Sequence, residues 1–140
     1  MGSELIRRGE VLPNYIWSAD SNLQNSELVY QIHKDYIEAG SSYITTNTFR
    51  TTPRAYIKTG LSQSDSIAIA RKSLKIAIKM ARKAANDKIK VLGSIAPLED
   101  CYQPDLFPGK DIAEKEFNQI GEWLANEGVD IFLIETMNSI

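Results

Sequence analysis

Glu135 follows the apolar run Ile131-Phe132-Leu133-Ile134, and no other residue in this chain is better placed to do chemistry. A carboxylate delivered by an apolar segment must be paired or face a polar cavity, because burying a lone charge is too costly. A lysine or arginine of the fold could satisfy it, and so could a cationic group on a ligand. Two earlier segments end in polar groups in the same way. Tyr43-Ile44-Thr45 runs into Thr46-Asn47-Thr48, and Val91-Leu92-Gly93 runs into Ser94. Thr46, Asn47 and Ser94 could line a pocket or hydrogen-bond neighbouring loops, since strand alternation turns only some of them inward. Gly2 and Ser3 open a short helical turn predicted over residues 1–8, and N–H groups at a helix start can hold an anion.

These groups require elements to position them, and the chain reads as helix then strand three times over. Leu28, Val29, Ile32, Tyr36 and Ile37 recur at three- and four-residue spacing, which predicts a helix over 26–39 stopped by Gly40. A strand over 43–48 follows. Ser62-Gln63-Ser64-Asp65 has the character of a helix start. Beyond it Ile67, Ala70, Leu74, Ala77, Ile78, Ala81 and Ala85 share one face of a long helix ending at Asn86-Asp87. A strand over 89–95 comes next, then a proline-stiffened loop over 96–110. A third helix over 112–126 uses Ile112, Phe117, Ile120, Trp123 and Leu124, stops at Gly128, and leads into a strand over 129–136. Residues 9–25 read as a loop with Trp17 as its anchor. Apolar strands alternating with amphipathic helices predict an α/β fold with a parallel sheet covered on both faces. In a parallel barrel, chemistry sits at the C-terminal strand ends, where Asn47, Ser94 and Glu135 fall.

Composition narrows the partners. With 140 residues, 43% of them hydrophobic, there is enough apolar material for one domain with a core, and no composition break divides it. A net charge of −2 gives no field that would draw nucleic acid or an anionic membrane. The basic residues Arg71, Lys72, Lys75, Lys79, Arg82 and Lys83 recur at near-helical spacing, as on a solvated outer face. No run approaches the roughly 18–20 apolar residues of a membrane span. A single cysteine excludes an internal disulfide framework and fits a reducing, cytoplasmic setting. That residue, Cys101, reads as a small loop residue, and the lone His33 as a packing or surface residue. Asp100, Asp105 and Asp111 lack the spacing of a calcium loop, so no metal is assigned to them.

Several separate blocks carry a resemblance. Met1-Gly-Ser-Glu-Leu-Ile-Arg-Arg-Gly9, Trp17-Ser-Ala19, Val29–Gly40, Thr45-Thr-Asn-Thr-Phe49, Gly93-Ser-Ile-Ala-Pro97 and Glu135-Thr-Met137 stand in the order and spacing of homocysteine S-methyltransferases. The chain resembles the N-terminal half of that family's homocysteine-binding domain. The resemblance implies that residues 1–140 are part of a (β/α)8 TIM barrel, lacking the first strand and the C-terminal half. It implies a zinc cofactor held by three cysteines, with homocysteine bound to the metal as the thiolate that attacks a small methyl donor and becomes methionine. Zinc keeps a coordinated thiol deprotonated at neutral pH, and the thiolate is the nucleophile. It also implies that Glu135 meets the amino group of homocysteine and that Gly2 and Ser3 hold its carboxylate, while Thr46, Asn47 and Ser94, from their place at the strand ends, are read as substrate-binding residues of the same pocket.

Two departures bear on activity. The family's zinc cysteines, one alone and two adjacent, match nothing in this chain, and Cys101 corresponds to none of them. Met1 aligns with the Met of an Asp-Gly-x-Met-Gly motif that closes the family's first strand, so the expectation is a chain clipped at both ends and inactive alone. A different class of function is a non-catalytic half-barrel that acts as a homo-oligomer or pairs with a separately encoded second half. Exposed sheet edges and an open apolar face favour such association. A third reading, an unrelated phosphate-binding barrel enzyme, is opposed only by the family blocks. The family draws on betaine, methylfolate, S-methylmethionine and S-adenosylmethionine, so these residues leave the donor open.

Overall fold

Small and branched side chains at helical spacing give the molecule its central element, helix α5 (Gln63–Ala85). Ala70, Leu74, Ala77, Ile78, Ala81 and Ala85 are all buried along it, as their spacing predicts. The Ser62 hydroxyl caps its start, accepting from the Asp65 N–H at 3.1 Å. Asn86 ends it in the left-handed region at φ 49°, a conformation that asparagine tolerates better than most residues. The computed structural model describes residues 1–137.

Around α5 lie α1 (Gly2–Arg7), α2 (Ala19–Gln24), α3 (Ser26–Glu38), α4 (Pro53–Ile57) and α6 (Lys110–Asn126). The strands β1 (Tyr43–Thr45), β2 (Lys90–Ile95) and β3 (Ile131–Ile134) form a parallel sheet in the order β1-β2-β3. Ile44 and Val91 join Ala81 and Ala85 in one apolar cluster, which seats the sheet on α5. A second cluster, with Leu74, Ile78, Leu98, Ile120, Trp123 and Leu124, locks α6 against α5. Leu5, Val29, Ile32 and Met80 hold α1 and α3. No helix among the described residues is long and apolar enough to cross a membrane.

Several expectations need correction. The stretch 9–25 is not all loop, because α2 occupies its end. That helix buries Ala19, Ser21 and Asn22, small and polar groups that give no apolar period. Helix α4 is also absent from the sequence reading, although Thr52-Pro53 carries the signal: the Thr52 hydroxyl accepts from the Ala55 N–H at 3.1 Å, and Pro53 occupies the first turn. Strand β1 stops at Thr45: the Thr46 N–H still donates to the Leu92 carbonyl at 2.8 Å, and beyond it the chain is held by side-chain bonds of Thr46, Asn47 and Thr48. The sheet is not covered on both faces along its length. Ile131 and Phe132 are 48% exposed and Ile134 is 67% exposed, because β3 packs mainly on β2.

Candidate functional site

The polar tips of the three strands converge. Ile95 accepts from the Glu135 N–H at 3.0 Å, which extends the β2–β3 pairing by one bond and brings Glu135 beside the end of β2. The register sets Leu92 against Ile131 and Ser94 against Leu133. Glu135, two residues beyond Leu133, therefore projects on the same side as Ser94. The Ser94 hydroxyl donates to Glu135 Oε1. Among the described residues the other carboxylate oxygen accepts no hydrogen bond.

Next to this pair, the end of β1 grips the backbone of β2. Thr46 Oγ1 accepts from the Ser94 N–H at 3.1 Å and lies 2.8 Å from Thr48 Oγ1, which donates to the Ser94 carbonyl at 2.8 Å. Asn47 is held from the other side. Its Oδ1 accepts from the Ser18 hydroxyl at 2.7 Å, and its Nδ2 donates to the Ser18 carbonyl at 2.7 Å and to Asn22 Oδ1 at 2.8 Å. Asn22 Nδ2 returns a bond to the Asn47 carbonyl at 2.9 Å and reaches Ser73 Oγ at 3.1 Å. Asn22 and Ser73 are not legible in the sequence, where isolated polar residues carry no periodic signal, and Ser18 stands there only inside a family block.

A cavity of about 420 Å³ adjoins these groups, lined in part by Gly2, Trp17, Ser18, Thr46, Asn47 and Glu135. Of the residues singled out in the sequence, Gly2, Thr46, Asn47 and Glu135 thus share one space. Ser94 does not border it; it is 1% exposed and lies behind Glu135. Ser3 is exposed and lies outside the cavity lining as well. Gly2 is tightly placed, since a Cβ there would stand 2.6 Å from the Trp17 indole nitrogen. Trp17 is itself strained at φ 47° and 40% exposed, so it lies against the start of α1 without entering the core.

His33 borders the same cavity from α3, and its Nε2 has no hydrogen-bond partner among the described residues. Burial, reinforced by the positive amino terminus, pushes its pKa down to about 4, so the imidazole is neutral at pH 7. The sequence leaves His33 as a packing or a surface residue, and its 3% exposure decides for packing.

At the rim an ion network fixes the loop that follows β2. Arg54 donates to Glu116 at 2.8 and 2.5 Å and to Glu99 at 3.1 Å, while Lys58 also binds Glu99. The Glu116 carboxylate, aided by Glu99, holds the Arg54 pKa above its ordinary value. Arg50 donates to the Glu99 carbonyl at 2.9 Å, so α4 and its approach clamp the loop from below. Among the described residues no three His, Cys, Asp or Glu side chains come together as a metal site. The residues present therefore do not fit a zinc ion by themselves.

The site can be compared with known proteins. The family model for homocysteine S-methyltransferase matches residues 1–140. The Escherichia coli homocysteine S-methyltransferase is 29% identical over 148 residues, covering 98% of this chain and 48% of that enzyme. The selenocysteine methyltransferase of Astragalus bisulcatus is 35% identical over 77 residues, 55% of this chain and 23% of its own length. The crystal structure of the metallated homocysteine methyltransferase MmuM from Escherichia coli superposes with a TM-score of 0.83 at 27% identity. The match covers 98% of this chain and 51% of that one. The chain spans about half the length of MmuM and of the Escherichia coli relative it matches.

Proposed function

The chain belongs to the homocysteine S-methyltransferase family, an enzyme family, and from that premise we propose that it forms the amino-acid-binding part of an enzyme that methylates homocysteine. The observation that carries the reading is Glu135. It borders the cavity with one oxygen held by Ser94 and the other unbonded among the described residues. A carboxylate so placed suits the ammonium group of an amino acid, through a charge-assisted hydrogen bond. Gly2 at the start of α1 borders the same space and suits the substrate carboxylate, with Ser3 beside it on the surface. Thr46 and Asn47 form wall between them, and their hydroxyl and amide are already engaged by the fold, so they shape the pocket.

In this reading the residues are a partial (β/α)8 barrel domain, which the exposure of Ile131, Phe132 and Ile134 on β3 supports. Zinc would activate the homocysteine thiol for transfer of a methyl group from a small donor, giving methionine. That part of the proposal rests on the family alone, because the described residues do not assemble a metal site. The residues of this chain contribute by fixing the amino end of the substrate, and orientation of a bound reactant lowers the entropic part of a barrier. The single cysteine agrees with a cytoplasmic setting.

The test is Glu135→Gln in the full chain of the enzyme, with homocysteine binding and zinc content measured together. Loss of one charge-assisted hydrogen bond predicts binding weaker by about 10- to 100-fold with the metal retained. If zinc leaves along with binding, Glu135 supports the metal region and the assignment fails.

A further inference from the structure

The hydrogen bonds at the strand ends leave no freedom in their direction. Thr48 Oγ1 gives its only proton to the Ser94 carbonyl, so in its contact with Thr46 it must accept. Thr46 Oγ1 therefore donates to Thr48 while accepting from the Ser94 N–H. The result is a closed ring, from the Ser94 N–H through Thr46 and Thr48 back to the Ser94 carbonyl. Both backbone groups of one residue are held by side chains of the neighbouring strand end, and all three residues are at most 3% exposed. With its backbone fixed on both sides, Ser94 can direct its hydroxyl proton to Glu135 Oε1.

We infer that Ser94, fixed by the Thr46–Thr48 pair, is a positioning residue that sets which carboxylate oxygen of Glu135 is offered to the ammonium group of the substrate. This rests on the reading of Glu135 given above. Ser94 itself meets no ligand, being 1% exposed and absent from the cavity wall. Its hydroxyl occupies one oxygen of Glu135 and restricts the carboxylate rotation that a free glutamate would have to lose on binding. Thr48 acts one step further away, by holding the carbonyl of Ser94.

Two ligands separate positioning from general support: homocysteine, and 4-mercaptobutyrate, which lacks only the amino group. Ser94→Ala and Thr48→Val should each weaken homocysteine binding about tenfold, the value of one hydrogen bond of this kind, and leave 4-mercaptobutyrate unchanged. Thr48→Ser, which keeps the donor, should restore homocysteine binding. Equal losses for both ligands, or no loss for either, would overturn the inference. If Thr48→Val does not fold, Ser94→Ala alone decides it. If the unaltered enzyme binds neither compound, the functional reading fails separately. The positioning bond is then tested by urea unfolding of Ser94→Ala, Glu135→Ala and the double variant. Non-additive losses support the bond, and strictly additive ones refute it.

Discussion

Lowering the pH from 7.5 to 5 should remove about 2 kcal/mol of stability through His33 alone. In the folded chain its pKa is pushed down to about 4 by burial, with a smaller effect of the amino terminus, and in the unfolded chain it returns to about 6.5. The folded state thus binds fewer protons than the unfolded state between these values. Stability is complete above about pH 6.5 and falls as the pH drops toward 4. Linkage over this interval gives about 2 kcal/mol at pH 5 and about 3 kcal/mol once both states are protonated. The carboxylates with pKa values lowered by their partners, Glu4, Asp35, Asp100 and Asp130, act elsewhere. Their stabilisation is lost as the pH falls from the ordinary carboxylate range toward their lowered values, below the pH 5 at which the assay ends. Asp20, raised by burial, works in the opposite sense, but it is common to both proteins in a comparison with a His33 variant. The assay is urea unfolding by circular dichroism at pH 7.5, 6 and 5 for the unaltered chain and for His33→Leu. At pH 7.5 the variant should lie within about 1 kcal/mol of the parent. Removing an Nε2 that has no partner among the described residues offsets imperfect repacking. At pH 5 the variant should retain the 2 kcal/mol that the parent loses. Equal losses in both proteins would show that the imidazole is solvated, and the burial argument would be wrong.

Two further substitutions probe the frame of the site. Asn47→Ala removes an amide with three side-chain bonds and leaves the Ser18 carbonyl and Asn22 Oδ1 without their donor. It should cost about 2–4 kcal/mol in denaturant unfolding, so a neutral result would remove Asn47 from the structural network. Gly93→Ala places a Cβ 2.9 Å from Val129 Cγ2 and 3.3 Å from Leu124 Cδ2. A loss of about 1–3 kcal/mol is expected, and pairing it with Val129→Ala should recover part of it if the clash is the cause.

The legible part of this chain is the part written as apolar period. Helices α3, α5 and α6 and the three strands follow from side chains whose spacing repeats with the backbone, because each must present one face to a shared core. The stops at Gly40 and Gly128 and the Ser62 cap were equally visible, as they answer local backbone demands. Helix α2 was not, since it buries only the small or polar Ala19, Ser21 and Asn22, and the partners of Asn22 on Asn47 and Ser73 stand 25 and 51 residues away. The same limit governs the site. Sequence placed Thr46, Asn47, Ser94 and Glu135 at strand tips, together with the family blocks that mark them. Only the parallel register, Ser94 against Leu133, puts Ser94 on the side of Glu135, and only the closing of the Thr46–Thr48 ring turns its hydroxyl there. A one-residue change in register would send Ser94 to the helix side and leave every letter of the sequence as it is.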